Sequence, residues 1–136
     1  MASNRASSSL LVVKAVFRLR LASSAVGSVR EVEFSGIQAG AHLPMTEPRY
    51  KVNRLEGPLE LLGLEGNIAP GPDRLLAGEF HILGSKSNGD VVGGRLAEAV
   101  VFATCEIVLA EYLVEGIERH HSATSGVDTI FIEEQP

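Results

Sequence analysis

Glu79 and His81 stand two residues apart in the stretch GEFHILGS, a spacing that on a β-strand sends both side chains out of one face. A carboxylate beside an imidazole is the beginning of a metal site or of an acid/base pair. Further along, Gly93-Gly94-Arg95 offers two amides free of side chains and a permanent cation. A guanidinium only donates hydrogen bonds and so cannot ligate a metal. It can pair with Glu79 across a hairpin, or join His81 and the Gly93-Gly94 amides in holding a small anion. Glu106 is the remaining candidate, a carboxylate in the apolar run AVVFATCEIVLA, where it must be paired or protonated. Arg119 and Arg95 are its candidate partners. No catalytic residue is assigned, since one carboxylate beside one histidine without a nucleophile is not a reaction. A metal-dependent or acid/base enzyme using Glu79, His81 and Glu106 is the alternative reading.

The other polar groups carry less. His120 and His121 are adjacent, so their side chains point apart and do not make a mononuclear metal site. His42 falls in a Gly- and Pro-containing loop and reads as solvated. Cys105 is the one cysteine, which excludes an internal disulfide; its apolar setting reads as a buried thiol in a reducing, cytoplasmic compartment. There is no P-loop, Gly-x-Gly-x-x-Gly, Cys-x-x-Cys or Ser-centred elbow, and neither a cofactor nor a metal is called for.

These residues need strands to hold them. Phe80 and Ile82 begin a strand, Lys86-Ser87-Asn88-Gly89-Asp90 is a turn with Asn-Gly in it, and Val91-Val92 starts the return. Gly93-Gly94 then marks a bulge or a close backbone approach. Ala97 to Val114 has the Ala, Leu and Glu of a buried helix, yet its β-branched residues favour a strand from about Glu98 to Leu109. Upstream, strands are expected at Glu31–Phe34, Tyr50–Leu55 and Leu59–Asn67, with turns or breaks at Val26-Gly27-Ser28, Glu56-Gly57-Pro58 and Pro70-Gly71-Pro72. Arg119 to Ser125 reads as a turn and Asp128 to Ile132 as a closing strand.

HILGSKSNGDVVGGRL followed by TCEIVLAEY resembles the core signature of the PPC (plants and prokaryotes conserved) domain, H-x-H, G-G-H-L and T-x-E-[VI]-V-L. GPLELLGLEGNIAP and the tail formed by Arg119 with Thr124-Ser125-Gly126 are similar to that family as well, so the likeness spans Ala22 to Glu133. It implies an α/β (α+β) fold around a central antiparallel sheet with few helices, assembled as a homotrimer. It aligns Glu79, His81 and Arg95 with a three-histidine cluster, of which only His81 remains, and Glu106 with the family glutamate. Plant members join the domain to AT-hooks in nuclear DNA-associated proteins. No Arg-Gly-Arg-Pro core occurs here. The family's N-terminal helix has no room before Ala22, so it is either deleted or replaced by a different N-terminus.

With 136 residues and 45% hydrophobic content, the chain has the size of one domain with one core, and having no Trp it must pack aliphatic side chains. Five of its twelve basic residues (Arg5, Lys14, Arg18, Arg20, Arg30) lie in the first thirty positions, which contain no acid. The other seven face all seventeen acidic residues, leaving the body at −10 and repelling nucleic acid. Residues 1–28 have the composition of an organelle leader, but the alternation from Val12 to Leu21 favours an ordered strand. No run of some 18 apolar residues suggests a membrane span. The expected partners are further copies of the chain, a small anion or another regulatory protein. The expected role is that of a scaffold or small-ligand-binding module, with direct DNA binding as a further alternative.

Overall fold

β-Branched and alternating residues favour strands, and in the computed structural model every regular element among the described residues is a strand. The structure describes residues 5–7, 19–45, 47, 49–73, 75–114 and 116–132. The elements are β1 (Arg5–Ser7), β2 (Leu19–Ile37), β3 (Tyr50–Pro70), β4 (Leu76–Ser85), β5 (Val91–Tyr112), β6 (Ile117–His121) and β7 (Asp128–Ile132). The sheet is antiparallel as expected, while the few helices of an α/β fold are not found among the described residues. Residues 8–18, with most of the alternating N-terminal stretch, lie outside them.

The five-stranded sheet has the order β1-β5-β2-β3-β4, and an added pairing of β4 with β5 closes it on itself. The circuit leaves β2 at Ser35, passes through the partners Arg95, His81 and Glu65, and re-enters β2 beside Ala22, the partner of Gly66. Inside the closed part lie Val29, Val32, Phe34, Leu59, Leu61 and Ile82, each with less than a tenth of its surface exposed. β6 and β7 form a separate two-stranded hairpin laid against β3.

The strands outrun the breaks expected in them. Val26-Gly27-Ser28 is not a turn; β2 continues through it with register shifts at Gly27/Val29 and Val29/Glu31. Gly27 is there for proximity, since a Cβ on it would stand 2.1 Å from the Thr104 carbonyl oxygen of β5. Gly57-Pro58 does not end β3 either. The ladder to β2 skips these residues between the Leu59 and Glu56 pairings, and β4 begins to pair only from Glu60. Pro58 thus sits at an unpaired edge, where its missing N–H costs no ladder bond. The helical alternative for residues 97–114 gives way to a strand of 22 residues, Val91–Tyr112.

The β4–β5 turn is closed by Lys86 N–H to Asp90 O at 2.8 Å and by Gly89 N–H to Lys86 O at 2.9 Å, with Gly89 at φ 88°. Residues 117–121, expected in part as a turn, make β6. Ile117 and Arg119 are its buried positions, and an arginine on the inward face hides the alternation that marks a strand.

Candidate functional site

Alternation along β4 decides which residues meet. Ile82 and Gly84 face the core, so Glu79, His81 and Leu83 leave the opposite face. Asn67 on β3 is the cross-strand partner of Glu79, and Arg95 on β5 is the partner of His81. Glu79 is diagonal to Arg95, within reach of its long side chain, and Arg95 Nε lies 3.5 Å from Glu79 Oε1. The central carbon of the same guanidinium lies over the Tyr50 ring, 5.6 Å from its centre.

A second guanidinium reaches the same carboxylate from the hairpin. Arg119 Nη1 donates to Glu79 Oε2 at 3.0 Å and to the Asp128 carbonyl at 3.3 Å, and Nη2 donates to Asn67 Oδ1. The Arg119 side chain is only 6% exposed, and its Nε is buried without a partner. Glu79 is thus bridged by two cations from two sheets. Sequence reasoning had Arg119 beside Glu106, and the inward position on β6 was the signal it lacked.

Glu106 is not part of this cluster. It lies exposed on the far half of β5, opposite Val26, and eleven residues from Arg95 along a strand is roughly 35 Å. Since it stands in water it needs neither Arg95 nor Arg119 as a partner. Gly93 and Gly94 lie beside the cluster for steric reasons: a Cβ would stand 2.2 Å from the Ile82 oxygen at Gly93 and 2.5 Å from the Ser35 oxygen at Gly94. They let β5 approach β4 and β2 closely at the point of closure. His81 is exposed beside Arg95.

Two clefts flank Glu79 and Arg95. One, of about 280 Å³, lies between β4 and the hairpin and is lined further by Arg119, His121 and Asp128. The other, also about 280 Å³, is lined by Ser35, Phe80 and Leu96. An acidic groove of about 310 Å³ lies elsewhere on the barrel, where Glu33 accepts a 2.6 Å hydrogen bond from Arg54 Nε. His121 Nδ1 is 3.3 Å from the Asp128 carboxylate and His120 Nε2 is 3.4 Å from Glu118. Cys105 is half-buried opposite Gly27, and burial pushes its thiol pKa up, away from nucleophilic reactivity.

As a metal centre the donor set is poor. Both oxygens of Glu79 are engaged by guanidinium groups, and among the described residues no three His, Cys, Asp or Glu side chains cluster closely enough to hold an ion.

A closed antiparallel sheet with glycines at its seam and an ion cluster on the outer face of β4 defines the class, and residues 16–113 match the Plants and Prokaryotes Conserved (PCC) domain. The chain belongs to that family, the one its sequence resembles under the abbreviation PPC. Among solved structures it is similar to a PPC protein from Pyrococcus horikoshii, with 27% identity, TM-score 0.67, and 89% of this chain and 76% of that one covered. It is similar to a metal-containing protein from Archaeoglobus fulgidus, with 28% identity, TM-score 0.69 and coverages of 85% and 75%. A candidate DNA-binding protein from Bacteroides thetaiotaomicron shares the fold at 19% identity, TM-score 0.70 and coverages of 88% and 76%. A comparison with curated proteins gives no match. No helix long and apolar enough to cross a membrane occurs among the described residues.

Proposed function

We propose that this chain is a non-enzymatic, cytoplasmic module that assembles as a homotrimer and serves as a scaffold carrying a small-ligand site. The observation that supports assembly is the far half of β5. Phe102 and Val108 are each 58% exposed there, Ile107, Leu109 and Tyr112 are exposed as well, and both faces of the strand carry these side chains. A sheet limb apolar on both faces needs a cover that the described residues do not provide. Mass measurement in solution at micromolar concentration tests it. A trimer is expected, and a clean monomer rejects the assembly.

The metal in the Archaeoglobus relative suggests a second reading, that of a metalloprotein. Against it stands Arg95, whose fixed charge occupies the place that the family pattern gives to a third histidine. The protein is expected to purify without stoichiometric zinc, and elemental analysis decides between the two readings. Direct DNA binding is disfavoured by a body charge of −10. Of the basic residues Lys14, Arg18 and Arg20, the first two lie outside the described residues, and Arg20 is paired with Glu111 at 3.1 Å. A mobility-shift titration should give no submicromolar, salt-sensitive binding.

A further inference from the structure

We propose that the cleft between β4 and the β6–β7 hairpin binds a small carboxylate, with Arg95 as its direct contact and Arg119 as the fixed charge behind it. The inference rests on reading the chain as a ligand-carrying module and names the ligand's chemistry.

The cluster is oversupplied with cation. Two guanidinium groups converge on the single carboxylate of Glu79. The other carboxylate lining the cleft, that of Asp128, is turned to His121 and nearly half exposed, so water screens much of its charge. Arg119, meanwhile, is 6% exposed and keeps a buried Nε with no partner, which is costly for a charged group. An anion in the adjoining cleft would offset part of that cost through the low-dielectric interior.

Arg95 is the group built to make the contact. Its side chain is 40% exposed and held in place by Tyr50 beneath and Glu79 at Nε. Its two terminal nitrogens have no partner among the described residues. A guanidinium held by one edge presents the other as a preorganised fork, the geometry that accepts an oxyanion bidentately. The clefts on either side, about 280 Å³ each, share Glu79 and Arg95 as a common wall and leave room for the rest of a small molecule.

The charge balance selects a carboxylate over a phosphate monoester. Arg95 and Arg119 against Glu79 leave one positive charge, which the half-exposed Asp128 cancels only in part, whereas a phosphate monoester carries about −1.5 to −2 at neutral pH. The second negative charge would face Glu79 and Asp128 with no cation left to meet it.

Titration of the full-length protein with acetate, benzoate and inorganic phosphate at matched ionic strength, followed by NMR at the Gly78, Gly126 and Val127 amides, tests the proposal. Both carboxylates should give saturable shifts at these amides, and phosphate should bind more weakly. Arg95→Ala should weaken carboxylate binding by roughly tenfold or more, as loss of a charged hydrogen-bond donor implies. Arg95→Lys, which keeps the charge and loses the fork, should fall between. Glu79→Gln, which removes the internal competitor, should tighten binding. The proposal is overturned by the absence of saturable shifts in both the wild type and Glu79→Gln, by affinity unchanged in both Arg95 variants, or by phosphate binding more tightly than either carboxylate. The assembly reading stands or falls on solution mass, which none of these outcomes addresses.

Discussion

In its near half β5 has three neighbours in turn: β4 over Val91–Arg95, β2 from Arg95 onward, and β1 on the other flank at Glu98–Val100. From Phe102 to Tyr112 it has β2 alone among the described residues. One strand therefore lives in two environments. In the near half, glycines admit close neighbours, Val100 is buried, and Arg95 is fixed by an aromatic ring and a carboxylate. In the far half, apolar side chains stand in water on both faces. Uninterrupted hydrophobicity in a strand signals burial on both faces, but it does not say whether the same molecule supplies the cover.

The contrast can be broken at four points. Phe34→Ala, in the core under the near half, should destabilise the fold by about 4 kcal/mol in urea unfolding, the typical loss for emptying a buried aromatic site. Arg119→Ala should cost about 3 kcal/mol, because it removes the buried cation tying the hairpin to β3 and β4. Amide exchange in β6 and β7 should then rise well before the barrel opens. Phe102→Asp with Val108→Asp should leave the near half folded while reducing the solution mass to that of a monomer. If this double variant unfolds the barrel instead, the two halves are one cooperative unit.

The smallest change is at Arg95. Arg95→Ala should cost only about 1 kcal/mol, since the pair with Glu79 is long and partly exposed and Arg119 continues to hold the carboxylate. Arg95→His replaces the cation with a nitrogen donor beside Glu79 and His81 and should create affinity for zinc or nickel, measured by calorimetry. If it binds no metal, the three side chains do not converge.

The near half was the more legible in sequence. Asn88-Gly89 announced the hairpin, Gly93-Gly94 announced close approach, and two-residue spacing put Glu79 and His81 on one face. The Glu79–Arg95 pair was one of the two readings open for Arg95, beside an anion pocket with His81 and the Gly93-Gly94 amides. Arg119 was missed as a partner of Glu79 because its contact crosses from one sheet to another, and no local pattern reports how a hairpin docks. Glu106 was misplaced for a related reason: an apolar run was read as buried, while the strand carries it beyond the closed core. Gly27 and Pro58 were both read as breaks although β2 and β3 run through them. A glycine needed for contact and a proline at an unpaired edge look, in sequence, like punctuation.

The seam between β2 and β5 joins residues far apart in the chain, as in the bond from Ser23 Oγ to the Val108 carbonyl across 85 positions. During synthesis β2 emerges first and finds β3 quickly, yet its other edge waits for β5, on the order of several seconds at ordinary translation rates. In that interval the nascent chain presents an open ladder beside Val29, Val32 and Phe34. The slow, non-local step of folding is then the last one, and interrupted chains ending before Val91 carry an unpaired, aggregation-prone edge that the finished protein never displays.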